Sequence, residues 1–141
     1  MPMPTPRLLR WVYAGWFALI MVALAVQLYL AGLGVFSYSG PLPFKPHVYL
    51  GFGIGIAFLV GIGLAFGARV SWKMIAINFG FVLLMFLQSF LAHTEFPALS
   101  ALHVVNGVLI IGLSGAFTGA LFRLARSPLP AAQPSPPASG S

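Results

Sequence analysis

Apolar residues run along the chain in four long blocks, separated by short segments that contain most of the polar and proline residues. The blocks span residues 11–36, 48–67, 74–92 and 99–124. Each block is close to the length of about 20 helical residues that cross a hydrocarbon core. None of the blocks shows the alternation of apolar and polar residues that is typical of a membrane β-barrel strand. Because a segment inside lipid must satisfy its own backbone hydrogen bonds, the pattern predicts four transmembrane helices with short connections.

Composition excludes several other classes of protein. The 141 residues are 60% hydrophobic and only 6% charged, which does not suit a water-soluble domain. Cysteine is absent, so disulfides and thiolate metal sites are ruled out, and histidine remains the ordinary soft-metal ligand. Aspartate is also absent, and Glu95 is the single carboxylate side chain, which excludes a Ser-His-Asp triad and paired-carboxylate catalysis.

The positive charges fall at the ends of the blocks rather than in one patch. If the helices alternate in direction, six basic residues share one side and only Lys45 lies on the other: Arg7, Arg10, Arg69, Lys73, Arg123 and Arg126. This distribution predicts a bacterial-type inner-membrane protein with both termini in the cytoplasm. It divides the chain into a cytoplasmic N-terminus (1–10), a four-helix transmembrane domain (11–126) and a disordered, Pro-rich cytoplasmic tail (127–141). Scattered single charges do not support nucleic-acid binding.

Two short words recur along the chain. "HVYLG" at 47–51 returns as "HVVNG" at 103–107, and "VQLYLAG", which contains Gln27, has a counterpart in "LQSFLAH", which contains Gln88. Together they indicate that the first two helices are a distant copy of the last two. We therefore expect an all-α membrane protein, an up-down four-helix bundle built from a duplicated helical hairpin, in which helices two and four face each other across the diagonal.

The repeated histidines are the strongest candidates for chemistry. His47 and His103 stand at the outer ends of helices two and four, and Gly51 and Gly107 follow one turn deeper on the same faces. Diagonal helices leave room for a flat ligand between two imidazoles. The pattern predicts one haem b per chain, with His47 and His103 as metal ligands and the two glycines beside the cofactor. The same helix faces continue with residues expected to line the site: Gly55, Phe58, Ile110, Ile111 and Ser114.

The other polar residues each have two possible roles. Gln27, Asn78 and Gln88 lie inside predicted spans, where they either bond between helices or, for the two glutamines, orient an axial histidine. His93 lacks the following glycine and is interpreted mainly as an interfacial residue, with contact to a propionate or a quinone as the alternative. Lys45 is a candidate partner for a haem propionate.

Taken together, these residues resemble the small four-helix membrane cytochromes of b type, and in particular one half of haem A synthase. The resemblance covers residues 11–124 and is carried by His47 in "PHVYLG" and His103 in "LHVVNG". It implies that these two histidines embrace a haem near the outer face. Where the catalytic half of haem A synthase has a glutamate three residues before its second-helix histidine, this chain has Phe44. The resemblance therefore favours the electron-carrying half over the catalytic one.

The expected function is electron transfer near the extracytoplasmic face rather than catalysis of bond formation. The expected partners are the lipid bilayer and either a quinone or a periplasmic electron carrier, and the chain works alone, as a homodimer or in a larger membrane complex. The alternative is a haem-free structural or assembly subunit that packs through its glycine faces. A small transporter is disfavoured because the spans carry almost no acids or bases.

Overall fold

In a computed structural model, the structure describes residues 6–36 and 44–127. Nearly all of them belong to four helices, α1 (Pro6–Phe36), α2 (Phe44–Gly67), α3 (Trp72–His93) and α4 (Pro97–Arg126), and these residues contain no strand. The prediction of an all-helical chain is confirmed. Most of the first outer loop (37–43) and the predicted disordered tail beyond residue 127 lie outside the described residues.

The helices are longer than the apolar blocks that predicted them. α1 begins at Pro6, so the predicted cytoplasmic segment 1–10 includes its first turn, and α4 begins at Pro97. Proline also occurs at position 46, in the first turn of α2. The first turn has no intrahelical partner for its N–H groups, so a proline there loses no hydrogen bond and its fixed φ suits the helix.

Each helix packs against its two neighbours in a closed ring. α1 contacts α2 and α4, and α3 also contacts α2 and α4. Among the described residues, no Cα atoms of α2 and α4 approach within 8 Å, nor do those of α1 and α3. α2 and α4 are therefore diagonal to each other, and only side chains or a ligand can bridge them.

The outward surface of this ring is apolar. All four helices are long and apolar enough to cross a membrane, and the protein itself buries only 11% to 28% of the most hydrophobic stretch of each. Large side chains such as Val35, Phe86 and Val104 are about two-thirds exposed (70%, 68% and 68%). A surface of this kind needs lipid rather than water around it. The chain is thus a multi-pass membrane protein.

One aromatic residue from each helix fills the middle of the bundle. Phe17, Phe58, Phe81 and Phe117, together with Tyr13, form a buried cluster that we call the aromatic layer. The rings of Phe58 and Phe81 stack with centroids 5.1 Å apart, and those of Phe17 and Phe117 meet edge-on at 4.9 Å. Phe58, expected beside a cofactor, instead belongs to this layer, because its side chain packs inward against α3.

A polar contact crosses the bundle at the same level. Asn78 on α3 is fully buried, and its Nδ2 donates to the Tyr13 hydroxyl on α1 at 3.2 Å. Gly61 on α2 makes the room, since a Cβ built there would lie 2.9 Å from the Asn78 amide nitrogen. The predicted interhelical role of Asn78 is confirmed, and it ties together two helices that have no backbone contact.

The turn between α2 and α3 contains the one non-glycine residue with positive φ among the described residues, Arg69, at 50°. Its N–H donates to the Phe66 carbonyl at 3.1 Å, and that of Val70 donates to the Ala65 carbonyl at 3.3 Å. This pair of bonds is the Schellman cap, which normally carries glycine at the left-handed position. The carbonyl groups at the end of α2 therefore have hydrogen-bond partners, and Arg69 adopts a strained backbone conformation to provide them.

Candidate functional site

A cavity of about 390 Å³ lies at the end of the bundle that contains His47 and His103. All four helices contribute to its walls, which are mainly apolar. The lining includes all four residues predicted to bind a cofactor, and Gly55, Ile110 and Ile111 as well. Phe58 and Ser114, predicted to line the site, are absent from its walls because both are buried in the bundle. Cavities of a few hundred Å³ are typical of small-molecule sites.

The imidazoles of His47 and His103 approach each other across the diagonal. Their ring centroids are 6.2 Å apart, and the ring planes make an angle of 63°. His47 is the fourth residue of α2 and His103 the seventh of α4, and both are half-buried. The structure therefore brings together two residues that are fifty-six positions apart in the sequence.

Each imidazole is held by a backbone carbonyl of the preceding helix. Nδ1 of His47 lies 3.1 Å from the carbonyl oxygen of Gln27, and Nδ1 of His103 lies 3.1 Å from that of Gln88. A carbonyl oxygen can only accept, so Nδ1 must carry the hydrogen in both rings. In the neutral rings Nε2 then keeps its lone pair, which is the form that binds a metal.

The same two glutamines also contact the histidines through their side-chain amides. Gln27 Nε2 donates to the His47 carbonyl at 2.9 Å and lies 3.4 Å from His47 Nε2. Gln88 Nε2 lies 3.2 Å from His103 Nε2. The predicted contact between these glutamines and the histidines is present for both pairs.

Asn106 is a site residue that the sequence analysis missed. Its Nδ2 donates to Gln88 Oε1 at 2.7 Å and to the Leu84 carbonyl at 3.0 Å. The signal was present in the repeated words, since "HVVNG" has asparagine where "HVYLG" has Leu50. Asn106 orients the glutamine that contacts His103.

The glycines of the two words make room for the glutamine amides. A Cβ at Gly51 would lie 3.0 Å from Gln27 Nε2, and one at Gly107 would lie 3.3 Å from Gln88 Nε2. By contrast, a Cβ at Gly55 would meet nothing within 4 Å. Gly51 and Gly107 therefore let the glutamine side chains reach the imidazoles, while Gly55 leaves open space in the cavity wall.

The remaining candidates lie at the edge of the site. His93 is exposed, lines the cavity, and has its Nδ1 2.7 Å from the carbonyl oxygen of Ser89 in its own helix. Lys45 and Glu95 are exposed. Among the described residues, no three His, Cys, Asp or Glu side chains lie close enough together to hold a metal ion. Three imidazoles thus line a mainly apolar cavity, the facing pair His47 and His103 and the exposed His93 at its edge, and no carboxylate is among the lining residues.

Comparison with known protein families finds a match to part of the chain. Residues 27–95 match a family of unknown function, DUF6220. The matched segment includes Gln27, His47 and Gln88 and ends before His103. No curated protein and no solved structure matches the chain. The matching family has no assigned activity, so a proposal for function has to come from the geometry of the histidine site.

Proposed function

We propose that this chain is a b-type haem-binding membrane protein that transfers electrons, with His47 and His103 as the two axial ligands of one haem. The observation that carries the proposal is the separation of the two imidazoles. Supporting observations are the orientation of their ring nitrogens and the apolar cavity around them.

The separation suits two ligands on opposite sides of one metal ion. A metal–imidazole bond is about 2.0 Å, and each atom of a five-membered ring with bonds of roughly 1.33 Å lies about 1.1 Å from the centroid. Two rings bound through Nε2 along one axis then have centroids about 6.3 Å apart. The value here is 6.2 Å. Rotation of either ring about that axis leaves the separation unchanged, so the 63° between the planes is compatible with it.

The hydrogen bonds of the two rings also favour ligation. A metal-binding histidine typically donates its other ring N–H to a carbonyl or carboxylate, which sets the tautomer and the ring orientation. Both His47 and His103 do this with the backbone of a glutamine, at 3.1 Å. The residues present therefore fit bis-histidine ligation, provided that the amides of Gln27 and Gln88, which lie 3.4 Å and 3.2 Å from the two Nε2 atoms, move aside.

The apolar walls suit a porphyrin ring. Side chains from all four helices surround the histidine pair, among them Leu24, Ile54, Val82 and Ile110, which are nearly fully buried. Such walls would bind the ring, hold it between the imidazoles and exclude water, which influences the reduction potential. Haem would supply one-electron chemistry, and the chain would supply binding, orientation and a low dielectric.

The proposed architecture is an up-down bundle made from a duplicated hairpin. Only four residues connect α2 to α3 and three connect α3 to α4, which favours antiparallel neighbours. The Gln27–His47 contact of the first hairpin has the same atoms and the same Nδ1–oxygen distance as the Gln88–His103 contact of the second. This repetition of side-chain geometry supports duplication more strongly than the short sequence words do.

The proposed setting is a bacterial-type inner membrane with both termini in the cytoplasm. All basic residues except Lys45 lie at the helix ends away from His47 and His103, which supports a haem near the extracytoplasmic face. There it would exchange electrons with a quinone in the bilayer or with a periplasmic carrier, alone, as a homodimer or in a larger complex. The similarity to the electron-carrying half of haem A synthase belongs to the same proposal.

A haem-free structural or assembly subunit is the second candidate. Gly53, Gly63 and Gly112 are exposed on the outer surface, and a Cβ at any of them would meet nothing within 4 Å. Small residues on a lipid-facing surface allow another helix to approach closely. This surface favours a partner within the membrane, and it is compatible with either function.

The test is the visible absorption spectrum of the protein, purified in detergent after expression with ample haem. We expect a b-type band on reduction that is lost in His47→Ala and in His103→Ala. His93→Ala is the matched control, because His93 lines the same cavity outside the proposed ligand pair, and it should keep the band. A colourless wild-type protein would refute haem binding and favour the subunit role.

A further inference from the structure

The end of the bundle away from the histidines carries nearly all of the positive charge. The start of α1 meets the end of α2 there, because Leu9 Cδ1 lies 3.8 Å from the position of a Cβ on Gly67. It also meets the end of α4, where the rings of Trp11 and Phe122 have centroids 6.1 Å apart. We call this region the basic end. Six of the seven basic residues of the chain belong to it: Arg7, Arg10, Arg69, Lys73, Arg123 and Arg126.

No carboxylate side chain balances these charges. Glu95 is the only one in the chain, and it lies between α3 and α4, at the end of the bundle that holds the histidines. The negative charge that the basic end attracts therefore cannot come from a side chain of this protein.

Arg10 differs from the other five cations of the basic end. It is partly buried, whereas the others are exposed. Phe17 of the aromatic layer follows seven residues later in α1, and residues seven apart share a helix face. Arg10 therefore stands on the inward face of α1, about 10 Å from the level of Phe17 along the helix axis. A helical side chain leans toward the start of its helix, which here is the direction of the open end of the bundle.

The buried part of the Arg10 side chain has no acceptor. Its Nε is covered by the protein and has no hydrogen-bond partner among the described residues. The residues that are 0% exposed at the ends of α2 and α4 are Ala65, Ala68 and Ala125, which offer no polar side chain. A buried N–H of a charged group without an acceptor is costly, so this arrangement favours an anion that enters from the end of the bundle.

The level of Arg10 in the membrane indicates where that anion comes from. With 31 residues, α1 is roughly 46 Å long, which matches a bilayer of about 40–45 Å including both headgroup regions. Arg10 is the fifth residue of α1, so it lies about 6 Å from the start of the helix. This is the level of the lipid headgroups, whose phosphates surround the end of the bundle.

From these observations we infer that Arg10 is the centre of a binding site for the headgroup phosphate of an anionic phospholipid. The guanidinium group presents its N–H donors as a planar fork that matches two phosphate oxygens. The five exposed cations around it supply the preference for a lipid with net negative charge. The site lies at the opposite end of the bundle from His47 and His103, so the inference does not depend on haem.

The first experiment measures lipid binding by native mass spectrometry, with the full chain in detergent. The probes are phosphatidylglycerol and phosphatidylcholine, which share a phosphate and differ in net charge. We expect wild type to bind one phosphatidylglycerol more tightly than phosphatidylcholine. Arg10→Gln should weaken phosphatidylglycerol binding about tenfold or more, the factor that a hydrogen bond to a charged group supplies. Equal binding of the two lipids by wild type would overturn the inference.

Arg126→Gln is the matched control. It removes the same charge from the same end of the bundle, but Arg126 is exposed, so it should weaken phosphatidylglycerol binding by less than about fivefold. Equal losses in Arg10→Gln and Arg126→Gln would show a diffuse attraction of the basic end and refute a site at Arg10. Excess inorganic phosphate should leave the lipid bound, and displacement by it would assign the site to dissolved phosphate instead.

The second experiment measures stability, because a ligand that binds only the folded protein stabilises it. Phosphatidylglycerol should raise the fraction of sodium dodecyl sulfate needed to unfold wild type, relative to phosphatidylcholine, and should not do so for Arg10→Gln. Arg10→Lys keeps the charge and loses the planar fork, and it replaces the glutamine variant if that variant does not fold. It should bind phosphatidylglycerol more weakly than wild type, and wild-type affinity in Arg10→Lys would contradict recognition by the guanidinium group.

Discussion

Replacing Gly61 with alanine should destabilise the bundle more than any other glycine-to-alanine change in α2. The new Cβ would lie 2.9 Å from Asn78 Nδ2 and 3.2 Å from Phe17 Cε2. Phe17 and Asn78 are both 0% exposed, so neither has free space into which to move. The added methyl group must therefore displace the polar contact or the aromatic layer.

The magnitude follows from these two contacts. Overpacking of a well-filled core costs about 1–3 kcal/mol. Moving Asn78 also strains its bond to the Tyr13 hydroxyl, a loss of about 0.5–1.5 kcal/mol. We expect Gly61→Ala to lower the free energy of unfolding by about 1.5–4.5 kcal/mol in total.

Gly63→Ala is the matched control. Gly63 lies in the same helix, is exposed, and a Cβ there would meet nothing within 4 Å. Because alanine is a better helix former than glycine, this variant should be unchanged or more stable by up to about 1 kcal/mol.

Unfolding by sodium dodecyl sulfate in mixed micelles, followed by circular dichroism, measures both variants against wild type. Gly61 does not line the cavity, so the absorption band of the proposed haem, per folded molecule, should be the same in all three proteins. If Gly61→Ala and Gly63→Ala unfold at the same detergent fraction, the tight packing inferred around Asn78 is wrong.

Three further predictions concern the turn, the cavity and the aromatic layer. Arg69→Gly should stabilise the protein by roughly 1 kcal/mol in the same unfolding assay, because glycine adopts the left-handed conformation without strain. Arg69→Lys is the control and should leave the stability unchanged. A loss of stability in the glycine variant would contradict the cap assignment. Under the proposed function, Gly51→Ala should weaken haem affinity about tenfold in a haem titration, because the methyl group displaces the Gln27 amide, which bonds to the backbone carbonyl of the proposed ligand His47. Gly55→Ala, with open space around the new Cβ, should retain the affinity, and equal losses in the two variants would contradict this account. Phe81→Ala should cost about 3–5 kcal/mol of unfolding free energy. Phe90→Ala, at a position 64% exposed on the outer surface, should change it by less than about 0.5 kcal/mol, and similar losses would contradict the role of the aromatic layer.

The four spans could be predicted from the sequence because the property that defines them is local. Length and apolarity of a segment decide whether it can cross a bilayer, and both are read directly from consecutive residues. The helix ends were less predictable, since α1 and α4 continue past their apolar blocks into short segments that contain proline and arginine.

The pairing of the two histidines could also be predicted from the sequence, because the repeated words place His47 and His103 at equivalent positions. The same comparison shows that Asn106 in the second word corresponds to Leu50 in the first. The role of Asn106 could not be inferred until the structure placed it beside both Gln88 and Leu84. Side-chain partners from another helix depend on rotation and register, which sequence spacing does not define.

The tertiary structure alone decided which side of each helix faces inward. In a soluble helix the polar face would indicate this, but these spans are apolar all around, so periodicity carries little signal. That is why Phe58 was expected beside a cofactor and instead packs in the aromatic layer. The sequence by itself determined four membrane helices and two matching histidines. Packing between helices determined that the histidines lie 6.2 Å apart over a filled core, because only contacts between distant segments can set the rotation of an apolar helix.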